Sequence, residues 1–168
     1  RIDAGLGMVN IHIAKGDLES AEKKCAELIQ KAPDVLEYQI KSAQILFYQG
    51  EFDQTDVKLH EIVEQLPMDN YSVNDILDVM AILIGFRHNQ EEFVDFAKVQ
   101  LNIQQNKRTE ALEKLEELFD TNEIYIADMC RYQHAWLTFL QGDAELTKLH
   151  LSKIENETIF KELAHIFQ

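Results

Sequence analysis

The chain has 168 residues, 16 Lys and Arg against 30 Asp and Glu, and a formal charge of -14. At ~100–200 residues per domain it is one domain or one continuous repeat array, and its 46% apolar residues suffice for a packed core, which argues against intrinsic disorder. Six Gly and two Pro supply too few turns for a sandwich or barrel of short strands, and so acidic a chain lacks the clustered Lys and Arg that nucleic-acid phosphates require.

In chain order, residues 1–33 read as a helix, a tight turn at Ala14-Lys15-Gly16-Asp17-Leu18, and a second helix stopped by Pro33. On that second helix Leu18, Ala21, Cys25, Leu28 and Ile29 form one apolar stripe at helical spacing. Residues 34–67 repeat the pattern around Tyr48-Gln49-Gly50-Glu51-Phe52, with Leu59, Ile62, Val63 and Leu66 on the stripe and Pro67 at the end. Gly16 to Gly50 and Pro33 to Pro67 are both 34 residues apart, and two turn residues sharing one period are hard to produce by chance. An additional helix, spanning 72–88 with its body at Val73–Arg87, then interrupts the period. Residues 90–122 form the third copy around Gln104-Gln105-Asn106-Lys107-Arg108, where Asn replaces Gly at a left-handed helix end. Residues 123–155 form the fourth around Leu140-Gln141-Gly142-Asp143-Ala144, 36 residues beyond Asn106, and 157–168 begin a further repeat.

Aligning the four copies on their turns gives a register. Five residues after the turn stand Ala21, Thr55, Ala111 and Thr147, and seven before it Val9, Ala43, Val99 and Ala135, all compact. Nine after it stand Cys25, Leu59, Leu115 and Leu151, and twelve after it Leu28, Ile62, Leu118 and Ile154. Small residues let two helices approach closely, and the larger ones fill the layer between neighbouring pairs.

This pattern resembles the tetratricopeptide repeat (TPR) family: a 34-residue helical hairpin with small residues at the crossing, Gly at the turn and Pro at the end. The likeness is strongest over Arg1–Pro67. The family's first-helix Trp is missing, and Leu6-Gly7 lies two residues early. A narrower resemblance, to the C-terminal repeat region of large TPR proteins of Bacteroidetes-type bacteria, rests on four segments. These are Gly16-Asp17-Leu18-Glu19, Asn74-Asp75-Ile76-Leu77-Asp78, Gln105–Leu112, and Tyr125-Ile126-Ala127-Asp128 before the Gln141-Gly142-Asp143 turn. The resemblance implies an all-α fold, a right-handed α-solenoid of antiparallel helix hairpins forming a TPR-like superhelix, as a single array over 1–168. It also implies a cell-envelope or periplasmic setting if the bacterial likeness holds. The chain begins at Arg1 rather than Met and reads as a piece of a longer protein.

No reaction centre is expected. Gly-x-Gly-x-x-Gly, Walker and Gly-x-Ser-x-Gly signatures are missing from the sequence, as is a nucleophile with an argued base. Cys25 and Cys130 fit neither a disulfide framework nor a zinc spacing, and each reads as a small buried hydrophobe. Of the six histidines no two lie three or four residues apart, so a metal site would need several helices to converge. They read as surface or partly buried helix residues, and neither metal nor cofactor is expected. The longest apolar run, Val79–Phe86, is far below the ~18–20 residues of a membrane-spanning helix, so no membrane insertion is expected of this segment.

What remains is surface. The resemblance places Asn10, Lys41, Gln44, Tyr48, Gln100, Gln104, Tyr132 and Trp136 on the concave face, where the family holds peptides or partner helices. Members that clasp acidic peptide tails use a basic clamp. Here Asn10 fits one clamp position, but its companion is Leu6, and the matching pair in the second copy is Ile40 and Gln44. The expected partner is therefore a protein or peptide of neutral or basic character, and the expected function a non-catalytic interaction scaffold. The alternative is a structural spacer or oligomerisation segment of a bacterial envelope protein, with the Ala135/Phe139/Ile159/Phe160 end pairing two copies into a homodimer.

Overall fold

The computed structural model describes residues 2–66, 72–85, 89–154 and 158–166, and every regular element among them is a helix. The elements are α1 (Ile2–Lys15), α2 (Leu18–Lys31), α3 (Leu36–Gln49), α4 (Phe52–Gln65), α5 (Ser72–Gly85), α6 (Gln90–Gln104), α7 (Arg108–Glu117), a 3-10 turn (Leu118–Asp120), α8 (Ile124–Leu140), α9 (Ala144–Ser152) and α10 (Ile159–Ile166). No helix among the described residues is long and apolar enough to cross a membrane. Pro67, residues 86–88 of the expected extra helix, and 157, 167 and 168 of the expected further repeat lie outside the described residues.

The helices begin and end where the turn chemistry directs. Gly16, Gly50 and Gly142 stand at φ 78°, 82° and 84°, and Asn106 is the sole non-glycine at positive φ among the described residues, at 58°. At each of the three glycines the same pair of backbone bonds closes the helix. Asp17, Glu51 and Asp143 donate to the carbonyls of His12, Leu46 and Thr138, five residues back, at 3.0–3.1 Å. Gly16, Gly50 and Gly142 donate to Ile13, Phe47 and Phe139. This is the Schellman closure, which satisfies carbonyls the helix end would otherwise leave unpaired. At Asn106 the longer bond recurs, Lys107 N–H to the Asn102 carbonyl at 2.9 Å. Asp17 and Asp143 also cap the next helix, accepting from the amides of Ser20 and Leu146 at 3.1 and 3.0 Å.

The aligned register is buried in all four copies but for one residue of the first, Leu28. Val9, Ala43, Val99 and Ala135 are at most 1% exposed; Ala21, Thr55, Ala111 and Thr147 at most 7%; Cys25, Leu59, Leu115 and Leu151 at most 4%. Twelve after the turn, Ile62, Leu118 and Ile154 are buried and Leu28 is half-buried. Threonine stands in for alanine twice without burying an unpaired hydroxyl, because Thr55 and Thr147 donate back to the carbonyls of Glu51 and Asp143 at 2.9 and 2.6 Å.

The chain gathers into two compact units, Arg1–Ile84 with Gln104–Asn106, and Gly85–Ile103 with Lys107–Gln168. In the first, α1 packs on α2, α2 on α3, and α3 on α4. Tyr38, Ile45 and Phe47 are buried with the register residues of this unit, and Ile76 and Leu83 of α5 are buried too. In the second, α7 packs on α8, α8 on α9, and α10 on both α8 and α9. Its core is built from Phe93, Phe96, Ile126, Met129, Cys130 and Leu137, with Ala164 of α10 closing against Ala135, Leu151 and Ile154. A buried charge sits there too. Asp128, fully buried, lies 3.5 Å from Arg131 and accepts from the Thr158 hydroxyl at 2.9 Å, which supplies the pairing a buried carboxylate needs.

Candidate functional site

In the first unit, the sequence-predicted residues of α3 form one ladder. Lys41 Nζ donates to Gln44 Oε1 at 2.6 Å, and Gln44 Nε2 donates to the Tyr48 hydroxyl oxygen at 2.6 Å. Spacing of three and four residues puts all three on one helix face. Lys41 and Gln44 are half-buried and Tyr48 is buried. Burial pushes the Tyr48 phenol up to about 12, against the opposing pull of its bond with Gln44, and lowers the Lys41 ammonium from its ordinary value. Asn10 is exposed on α1, and Gln104 is exposed at the end of α6.

In the second unit, Gln100 is held by Gln133, to whose Oε1 it donates at 2.8 Å. Tyr132 and Trp136, one turn apart on α8, come together. Tyr132 is half-buried with its ring 5.8 Å from that of Phe160, while Trp136 is 43% exposed and stacks on Phe139 at 5.7 Å. Tyr132, Trp136 and Phe139, with Ala135, Thr147 and Leu151, line a shallow apolar hollow with about 10 Å³ of free space. That is far below the ~300 Å³ where small-molecule pockets begin, so the hollow is an apolar surface depression and not a preformed pocket.

Two histidines depart from the sequence expectation. His134 of α8 and His150 of α9 are buried, at 1% and 5% exposure, and their rings lie 4.0 Å apart between centroids. His134 Nε2 stands 3.1 Å from Oε1 of Glu116, an α7 carboxylate open to solvent. The Phe119 ring edges both imidazoles, at 5.5 and 5.3 Å. Nδ1 of each ring is buried without a hydrogen-bond partner. Burial depresses both histidines. Glu116 opposes the shift at His134, whereas the His134 and Lys153 charges add to it at His150, which falls to about 4.

Local motif spacing could not find this cluster, since its three members sit on three helices. The turn alignment could have: His134 lies eight residues before Gly142 and His150 eight after it, and positions equidistant from a tight turn are those it can bring face to face. Cys25 and Cys130 are buried as expected. Burial raises both thiols, Cys130 to about 12, so neither is a poised nucleophile.

No model of a known protein family, no curated protein and no solved structure matches the chain.

Proposed function

We propose that the chain is a helical-repeat scaffold of the tetratricopeptide type, a solenoid of helix hairpins that docks a partner protein or peptide and catalyses no reaction. The repeat reading is supported by one backbone closure at three glycines and one register, buried but for Leu28, in four copies. The observation that carries the binding function is Trp136, the chain's one tryptophan, 43% exposed on the wall of a shallow apolar hollow. Exposed aromatic area beside a shallow apolar depression is a usual anchor point of an interface. Lys41 and Gln44, pinned to each other on α3, add fixed polar groups suited to a peptide backbone. The charge of -14 selects a neutral or basic partner.

The test is panning of a displayed peptide library against the chain. Enriched peptides are expected to carry one apolar anchor with Lys or Arg nearby, and Trp136→Ala to weaken them at least about tenfold, as loss of an interface hot spot does. Enriched peptides that bind the Trp136→Ala and Gln44→Ala variants as well as the parent would remove both surfaces from the account.

A second reading, self-association as an oligomerisation segment, is favoured by Phe139 and Ile159, 50% and 57% exposed in the second unit. Light scattering separates the two. A dimer that Ile159→Asp dissociates supports the second reading, and a monomer at high concentration removes it.

A further inference from the structure

We propose that Glu116, His134 and His150 form a binding site for a borderline divalent transition-metal ion, zinc foremost. One ligand-capable atom from each lies within 4.8 Å of the other two. Around a tetrahedral zinc with bonds of ~2.0–2.1 Å, ligand atoms stand about 3.4 Å apart, so the widest pair must close by at most about 1.4 Å around an ion. Glu116 Oε1 and His134 Nε2 are already at 3.1 Å.

A second, independent observation points the same way. The two imidazoles are buried, and Nδ1 of each lacks a hydrogen-bond partner. A buried polar nitrogen with no partner costs about 1–3 kcal/mol, and two of them side by side are not what a purely structural core retains. In apolar packing alone, leucine or phenylalanine would fill the space at less cost. Coordination through Nδ1 gives each ring's unpartnered nitrogen a partner, while Nε2 of His134 keeps Glu116.

The donor set selects the ion. Two imidazole nitrogens and one carboxylate suit zinc, cobalt, nickel or copper, whereas magnesium and calcium prefer all-oxygen shells. Three protein ligands leave one position open, and the Glu116 side chain, 58% exposed, puts that position at the solvent edge. The Phe119 ring supplies an apolar wall. Two cations oppose the ion, Lys153 and Arg131, both of which act on His150. The Arg131 charge is partly neutralised by Asp128 at 3.5 Å, and its Nη2 donates to the Phe119 carbonyl at 2.6 Å. Because the ligands come from α7, α8 and α9, a bound ion ties three helices together and adds its binding free energy to their stability.

The experiment is calorimetric titration of the chelator-treated full chain with Zn²⁺, beside a thermal melt and a visible spectrum with Co²⁺. One equivalent of Zn²⁺ is expected to bind and raise the melting temperature, with tetrahedral-type Co²⁺ absorption and no response to Mg²⁺ or Ca²⁺. Loss of an outer partner of a metal ligand already costs 10–100-fold in affinity, so His150→Gln is expected to weaken Zn²⁺ at least about 100-fold. Glu116→Gln, at an exposed side chain that leaves the core intact, is expected to weaken it at least about tenfold and keeps the test decisive if His150→Gln does not fold. His60→Gln, at an exposed histidine of α4, is expected to change nothing. Absence of stoichiometric binding overturns the proposal, as does binding that survives Glu116→Gln and His150→Gln, or binding abolished by His60→Gln.

Discussion

Tyr48 presents a polar group that folding has taken out of water, and its behaviour with pH follows from that. Its phenol titrates near 12 in the folded chain against an ordinary value of 10. The folded state therefore holds its proton at pH values where the unfolded chain has lost it, and stability falls as pH rises past 10. Linkage gives a loss of about 1 kcal/mol between pH 9 and pH 11 from this group. Urea unfolding of the parent and of Tyr48→Phe checks it: the variant is expected to be less sensitive to pH over that interval by this amount. An equal dependence in both proteins would show that the phenol is solvated. The alignment brought Lys41, Gln44 and Tyr48 to one face, but not the hydrogen bonds that tie them into a ladder, because side-chain partners depend on rotamers that spacing does not fix. His134 and His150 were missed for a related reason. Their proximity is a property of two helices and the turn between them, and a motif search along one helix is blind to it.

The helices and their closures were the most legible level. Gly16, Gly50 and Gly142 were read as turns, and Asn106 as a glycine substitute, from residue type and period alone; all four hold positive φ. Such turns are legible because few residue types tolerate that backbone. Gly50→Ala tests the physics cleanly, since nothing lies within 4 Å of where the new Cβ would stand. The cost is then conformational alone, about 1–2 kcal/mol by urea unfolding. Asn106→Gly is expected to move stability by less than about 1 kcal/mol, because relief of the left-handed backbone is offset by greater freedom in the unfolded chain. The small-residue register is tested by Ala111→Leu. At 0% exposure, the added methylenes are expected to cost about 1–3 kcal/mol by overpacking. Ala144→Leu, at an exposed helix start, is expected to stay within about 0.5 kcal/mol of the parent. Less legible were the lengths of the last helices. α7 yields to a 3-10 turn at Leu118–Asp120, and α9 runs only from Ala144 to Ser152. No proline marks either end, so residue type alone does not locate them.

For the whole molecule, composition restricted the partner more than the fold did. A charge of -14 favours basic or neutral ligands, and binding to a basic peptide is expected to weaken as salt rises, since exposed charges are screened within about 10 Å at 0.1 M. The docking proposal rests on Trp136, and because the chain has a single tryptophan its fluorescence reports on that position alone. The most direct measurement is Trp136 emission and its quenching by acrylamide, before and after saturation with an enriched basic peptide. Docking in the hollow predicts a blue-shifted emission and reduced quenching. Unchanged emission and unchanged quenching at saturation, with binding established calorimetrically, would contradict it.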